Sequence, residues 1–74
     1  MPLVNVKVIE GVLDGVQKRE IVERLTDAIV AIYGDNSRSV TWVLIEEMKS
    51  GDWGIGGRAV TADDVRALLA DTPA

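Results

Sequence analysis

The amino-acid sequence predicts an α+β fold built on one β-α-β unit with parallel strands, followed by a short C-terminal helix. Three observations support this fold class: alternating apolar residues at 3–9, a helical apolar stripe between Asp14 and Gly34, and a second apolar run at 40–47. The chain has 74 residues, of which 47% are hydrophobic and 27% charged. It is therefore expected to form a single folded domain over residues 1–74.

The first predicted strand covers residues 3–9. Val4, Val6 and Val8 share one face of this segment. Three β-branched residues on one side favour a strand. The dipeptide Glu10-Gly11 is expected to end it.

The predicted helix begins with a cap. Asp14 and Gln17 have the spacing of a capping box, in which each side chain bonds the backbone of the other residue. The apolar residues that follow recur at helical spacing: Ile21, Leu25, Ala28, Ile29 and Ile32. Gly34 comes directly after Tyr33, the last residue of the predicted helix, as a C-cap glycine does. We therefore expect a helix of about 18 residues and, after it, a polar loop at 35–38.

The second predicted strand, residues 40–47, is apolar on both faces. Trp42 and Leu44 point to one side, and Val43 and Ile45 point to the other. A pattern of this kind is typical of a parallel sheet that is covered on both faces. One helix covers only one face, and a chain of this size buries a small core. We therefore expect a homo-oligomer in which another subunit covers the second face.

The C-terminal third is rich in glycine. Residues 49–57 contain four glycines and are expected to form turns. The Gly-Ile-Gly-Gly run lacks the lysine and the strand-helix context of a phosphate-binding loop, so it is interpreted as a turn. Thr61 and Asp64 are spaced to cap a helix that continues to about Ala70. A frayed tail is expected around Pro73.

The composition limits the chemistry that the chain can perform. It contains neither cysteine nor histidine, which excludes disulfides, thiol nucleophiles, Ser-His-Asp triads and the usual zinc sites. A formal net charge of −4 without a basic cluster argues against nucleic-acid binding. The apolar N-terminal run is too short for a membrane helix or a signal peptide. We expect no metal, no membrane contact and a cytoplasmic location.

Four features carry a resemblance to a known family. They are Met1-Pro2 before the first strand, Glu10-Gly11 after it, Gln17-Lys18 at the start of the helix, and the run EMKSGDWGIGG from Glu47 to Gly57. In these features the chain resembles the 4-oxalocrotonate tautomerase family over about residues 2–57, leaving the helix at 61–70 outside. The resemblance implies a tautomerase-like fold, dimers assembled into hexamers, a small carboxylic acid as substrate, and no cofactor.

The resemblance also implies a catalytic residue, Pro2. In the family the initiator methionine is removed and the free secondary amine of the terminal proline acts as a general base. An apolar pocket disfavours the charged form of an amine and lowers its pKa, so that it both takes and returns a proton near neutral pH. The alternative is that Pro2 merely begins an edge strand, where a missing N–H is tolerated.

The chain departs from the family at two substrate-binding positions. Val12 stands where the family usually carries an arginine. The family usually has a second arginine near the start of the second strand, where this chain has Thr41 and Trp42. The nearest basic residue is Arg38, a candidate ligand for a substrate carboxylate and otherwise a solvated loop residue. Trp53 matches the aromatic residue of the family's pocket and also suits a subunit contact. Without the two arginines, weak activity on dicarboxylates is expected.

Several other residues have less specific interpretations. Trp42 is expected to pack at an interface, Arg58 is a second carboxylate candidate, and Lys7 is expected on a solvated strand face rather than beside Pro2. Glu46 and Glu47 point to opposite faces, so they are interpreted as solvated strand ends rather than an acid-base pair.

The sequence thus predicts a cofactor-independent tautomerase. Two alternatives stay open: a proline-dependent hydratase or dehalogenase of an unsaturated acid, and a non-catalytic oligomeric member of the family.

Overall fold

Two parallel strands and the helix between them form the framework of the molecule. In the computed structural model, which describes residues 1–70, β1 (Leu3–Ile9) pairs in parallel with β2 (Trp42–Met48), and α1 (Gly15–Tyr33) connects them. The register runs from Leu3 opposite Trp42 to Ile9 opposite Met48. The predicted β-α-β unit is confirmed. The tail expected around Pro73 lies outside the described residues.

The helix α1 has the cap that the sequence predicts. The Gln17 backbone N–H donates to Asp14 Oδ1 at 2.8 Å, and the Asp14 N–H donates to Gln17 Oε1 at 3.0 Å. At the other end the N–H of Gly34, whose φ is 103°, donates to the Val30 carbonyl at 2.8 Å. A positive φ of this size favours glycine, which explains why the helix ends there.

The segment expected to be a polar loop is instead a short 3-10 helix, Asp35–Val40. The Ser37 hydroxyl donates to the Gly34 carbonyl at 2.7 Å, and the Thr41 hydroxyl donates to the Ser37 carbonyl at 2.8 Å. Because side chains satisfy these backbone carbonyls locally, the chain stays tightly turned up to Thr41. As a result β2 begins at Trp42, two residues later than predicted.

The glycine-rich segment contains more structure than the predicted turn. β3 (Trp53–Ile55) and β4 (Arg58–Val60) form an antiparallel hairpin. Gly56 and Gly57 connect the strands with φ values of 59° and 84°. Positive φ at both central residues is the requirement of a tight hairpin turn, and glycine meets it without strain. The turn is confirmed, but the sequence analysis did not anticipate the two strands.

The C-terminal helix α2 (Ala62–Ala70) is confirmed, together with its cap. The Asp64 N–H donates to Thr61 Oγ1 at 3.2 Å, and the Thr61 N–H donates to Asp64 Oδ2 at 3.0 Å. The buried Ala62 donates its N–H to Ser50 Oγ at 2.9 Å, which ties the start of α2 to the turn after β2. Among the described residues, neither helix is both long and apolar enough to cross a membrane.

The two faces of the parallel sheet have different surroundings. Val4, Val6, Val43 and Ile45 are half-buried on the face that α1 covers. On the opposite face the apolar side chains at the start of the strands are exposed: Leu3 by 55%, Trp42 by 53% and Leu44 by 44%. The expectation that one helix covers only one face is confirmed. The single chain therefore leaves an apolar sheet face in water.

An ion pair links α1 to the sheet and makes stability depend on pH. Lys18 Nζ contacts Glu47 Oε1, and this hydrogen bond holds the pKa of the Glu47 carboxyl below its usual value. The unfolded chain then binds the proton more readily than the folded chain on acidification. The contribution of this pair to stability is complete above about pH 4 to 5 and is lost as the pH falls through the lowered pKa.

We expect Glu47→Gln to lower the free energy of unfolding at pH 7 and to flatten its decline between about pH 5 and pH 3. Urea unfolding at a series of pH values, followed by circular dichroism, measures both effects. Glu23→Gln, at an exposed position of α1, is the matched control and should keep the wild-type slope. Parallel pH curves for wild type and Glu47→Gln would contradict the expectation.

Candidate active site

Pro2 lies at the amino edge of the parallel sheet, which we define as the edge where β1 and β2 begin. Its carbonyl accepts a hydrogen bond from the Trp42 N–H at 3.0 Å, and this bond fixes its position relative to β2. Pro2 is half-buried, whereas Met1 is 83% exposed. The pyrrolidine ring is thus held by the sheet, and the residue before it is accessible to solvent.

The 3-10 helix that carries Arg38 leads directly into the same edge of the sheet. The Thr41 N–H donates a hydrogen bond to the Arg38 carbonyl at 3.4 Å. The next residue, Trp42, donates its N–H to the Pro2 carbonyl. Arg38 Nη2 donates to Asp27 Oδ1 at 2.8 Å, and both side chains are exposed. Exposed ion pairs contribute little to stability. The guanidinium therefore gives up little when it exchanges Asp27 for another carboxylate.

Trp53 lies at the opposite, carboxyl edge, where the two strands end. The Glu10 N–H donates to the Met48 carbonyl at 2.8 Å at this end, and the hairpin that contains Trp53 follows. β1 has seven residues, which corresponds to a length of roughly 20 Å. One chain therefore places Pro2 and the segment that carries Arg38 at one edge of the sheet, and Trp53 at the other. A pocket that contains Pro2 and Trp53 takes them from two copies of the chain.

A cavity of about 380 Å³ opens at the carboxyl edge. Val8 and Ile9 at the end of β1 form part of its wall, and Ile21 of α1 forms another part. Val12, in the loop after Glu10-Gly11, and Trp53 both line it. The structure thus brings Val12 and Trp53, two positions that the sequence singles out, to one cavity.

The rest of the wall comes from the C-terminal segment and the β1–α1 loop: Leu13, Ile55 and Val60, together with Val65 of α2. All nine lining residues are apolar. Such a wall offers a charged group no compensating partner. The sequence identifies Trp53 as a pocket candidate. It places Val65 on the apolar side of the C-terminal helix but not in a pocket, because that helix packs against residues more than fifty positions away.

The other charged candidates lie away from Pro2, either on the exposed sheet face or at the carboxyl edge. Lys7 Nζ is 3.3 Å from Glu46 Oε2, on the exposed sheet face four residues beyond Leu3, so its expected place on a strand face is confirmed. Hydrogen bonds from Asn5 and Lys7 lower the pKa of the Glu46 carboxyl. Glu46 and Glu47 do face opposite ways, but neither is merely solvated, because each binds a lysine.

Arg58 lies on β4 at the carboxyl edge. Its Nη2 atom is 3.6 Å from Asp64 Oδ1. One chain therefore does not bring it near Pro2.

Comparison with known proteins identifies the family. The family model of tautomerase enzymes matches residues 2–63. The chain belongs to the tautomerase family. It is 34% identical over 61 residues to "Probable tautomerase K2" of Dickeya dadantii, a match that covers 82% of this chain and 90% of that protein. It is 42% identical over 57 residues to "Probable tautomerase SAV1363" of Staphylococcus aureus, covering 77% and 90%.

Solved structures agree with this membership. TomN, a 4-oxalocrotonate tautomerase homologue in the tomaymycin biosynthetic pathway, superposes with a TM-score of 0.72 at 29% identity, covering 89% of this chain and 95% of TomN. DmpI from Helicobacter pylori gives a TM-score of 0.69 at 29% identity, covering 80% and 95%. The resemblance to the 4-oxalocrotonate tautomerase family is confirmed. The family match ends at residue 63, so most of α2 lies beyond it.

Proposed function

We propose that this member of the tautomerase family is a cofactor-independent isomerase that moves a proton within a small enol or 2-oxo acid. The base is the amino nitrogen of Pro2, freed by removal of Met1. The observation that supports this most is the position of Pro2, which the Trp42 N–H holds at the amino edge beside the segment that carries Arg38. A ring fixed by the sheet gives the nitrogen lone pair one direction.

The proposed reaction needs one group that exchanges a proton. The neutral nitrogen of Pro2 takes the proton from one atom of the substrate and returns it to another, so the substrate keeps its composition. Arg38 binds the substrate carboxylate through its guanidinium, which holds the reacting carbon near the ring. Neither step requires a metal or an organic cofactor.

We also propose that the active unit is a homo-oligomer of dimers, up to a hexamer. Two observations support this: the exposed apolar sheet face that includes Leu3, Trp42 and Leu44, and the separation of Pro2 from Trp53 within one chain. A symmetric assembly that covers this face also allows each pocket to combine the amino edge of one copy with the carboxyl edge of another.

Blocking the terminal nitrogen tests the base. A chain with one extra residue attached to Pro2 keeps the ring but turns the amine into an amide without a free lone pair. We expect this chain to lose a factor of about 10² or more in kcat/KM for ketonisation of a simple enol acid, followed by ultraviolet absorbance. Pro2→Ala keeps a terminal amine, and its kcat/KM is expected to fall between those of the wild type and the blocked chain. Intact mass must show that Met1 is absent from the wild type, and equal rates with the blocked chain would refute the proposal.

Arg38→Gln tests carboxylate binding. We expect KM for the enol acid to rise about tenfold or more while kcat changes little, because a charge-assisted hydrogen bond to the unreacting carboxylate is lost in ground and transition state alike. Arg24→Gln removes another exposed, ion-paired arginine, from the Glu20–Arg24 pair on α1, and serves as the matched control. An unchanged KM in Arg38→Gln would leave Arg38 as a surface residue.

Subunit mixing tests the shared pocket. The blocked chain and a Trp53→Ala chain are each expected to have low activity. If each pocket combines two copies, refolding them together in equal amounts should restore roughly a quarter of the wild-type activity, because one pocket in four then receives both intact residues. Activity no higher than the average of the two parents would show that both residues act within one chain.

A further inference from the structure

We propose that the exposed apolar side of α2 packs against the exposed end of α1 in a second copy of the chain. The surface at α2, which we call the α2 patch, consists of Ile55, Leu68 and Leu69. The surface at the end of α1, which we call the α1 patch, consists of Ile32 and Tyr33. This inference rests on the proposed function, because it gives the proposed homo-oligomer a second contact besides the sheet face. The contact is formed by a helix that lies mostly beyond the family match.

The apolar side of α2 extends beyond the surface that its own chain offers. Val65, Leu68 and Leu69 recur at helical spacing and therefore share one side of the helix. Val65 is half-buried and lines the same cavity as Ile55 of the hairpin. One turn further along, Leu68 is 70% exposed, and both Leu69 and Ile55 are exposed as well. The helix is thus packed near its start and leaves an apolar surface in water near its end.

The apolar stripe of α1 is exposed in the same way at its last turn. Ile29 is half-buried and Val30 is buried, whereas Ile32 is 80% exposed and Tyr33 is also exposed. Because α1 leads from the end of β1 to the start of β2, its last turn lies at the amino edge of the sheet. The start of α2 is tied to the carboxyl edge by the bond to Ser50. The two patches therefore belong to opposite edges of one chain.

The chain as a whole exposes more surface than a compact monomer of its mass. Its accessible surface is 5517 Å², whereas a folded monomer of 8.0 kDa is expected to expose roughly 4,450 Å². The excess of about 1,000 Å² is larger than the roughly 800 Å² that each partner buries in a standard interface. The sheet face contributes three exposed apolar side chains to this area, those of Leu3, Trp42 and Leu44. A second surface between copies is needed to account for the rest.

Symmetry determines which surfaces meet. Most of the exposed large apolar side chains of residues 1–70 fall on three surfaces: the sheet face, the α1 patch and the α2 patch. The sheet face suits a two-fold contact with itself, which makes a dimer. A contact between the α2 patch and the α1 patch joins unlike surfaces, so it repeats from copy to copy until a ring closes. This single contact covers both remaining patches and joins dimers into a larger assembly. A ring of three gives the proposed hexamer.

Introduced cysteines test the contact directly, because the chain contains none of its own. A protein with both Ile32→Cys and Leu69→Cys is oxidised and analysed by denaturing electrophoresis without reductant. A disulfide requires the two Cα atoms to lie within about 7 Å. We expect covalent dimers and trimers to form about a hundredfold faster than in a control protein with Glu23→Cys and Leu69→Cys, because adjacency raises the effective concentration from micromolar to millimolar. Glu23 is exposed on α1 at a distance from the α1 patch.

Three outcomes of this experiment would overturn the inference. Equal rates in the two double variants would show that the patches do not meet. Equally fast linkage of Leu69→Cys alone would show that the α2 patch packs against another α2 patch. A disulfide within one chain would place both patches together in the same copy.

Sedimentation tests the contribution of the contact to assembly. The combined substitution Leu68→Ser and Leu69→Ser should reduce the wild-type assembly to dimers at micromolar concentration, because the sheet face is untouched. Ala67→Ser, at an exposed position on the other side of α2, is the matched control and should keep the wild-type assembly. Both substituted leucines are exposed, and circular dichroism checks that the fold is retained. A doubly substituted protein that sediments like the wild type would contradict the inference, as would a monomeric wild type.

Ketonisation of a simple enol acid, measured on the same samples, separates this inference from the proposed function. Rapid linkage of the Ile32→Cys and Leu69→Cys protein, without turnover by the wild type, would support the contact and refute the tautomerase proposal. Turnover by the wild type without this linkage would support the tautomerase proposal and refute the contact.

Discussion

The parallel pairing of β1 with β2 is the constraint on which the rest of the structure depends. The bond from the Trp42 N–H to the Pro2 carbonyl opens the ladder, and the bond from the Glu10 N–H to the Met48 carbonyl closes it. Because parallel strands begin at one edge and end at the other, everything that precedes them gathers at one side. Pro2 and the 3-10 helix therefore share the amino edge, whereas the hairpin and α2 share the carboxyl edge.

This polarity divides the candidate site into two halves with opposite chemistry. The amino edge carries Pro2 and the segment of Arg38, to which the proposed function gives the proton transfer and the binding of a carboxylate. The carboxyl edge offers an apolar cavity, which suits neither. The apolar face between the edges is exposed in the single chain, and the proposed oligomer uses it as its contact surface.

The sequence predicts the long elements well and the short ones poorly. Alternation across β1 and the stripe of α1 extend over enough residues to define a period, and the Asp14 and Thr61 caps are local in the chain. The hairpin has strands of three residues, too short for any period. Pro2, Arg38 and Trp53 were identifiable as candidates from the resemblance. The separation of Trp53 from Pro2 and Arg38 follows only from the geometry of the sheet. The position of Val65 in the cavity wall follows only from tertiary packing.

The absence of an arginine at position 12 and the presence of α2 are physically consistent with each other. Gly11 has φ 80°, and a Cβ on it would lie 3.2 Å from Arg66 Nη2, so glycine lets the turn and the arginine approach each other. The bond from Arg66 Nη2 to the Gly11 carbonyl links α2 to this turn, and Val65 and Val12 line the same cavity. A guanidinium at position 12 would then face apolar walls without a carboxylate to bind. Valine at this position fits the apolar enclosure to which the C-terminal helix contributes Val65.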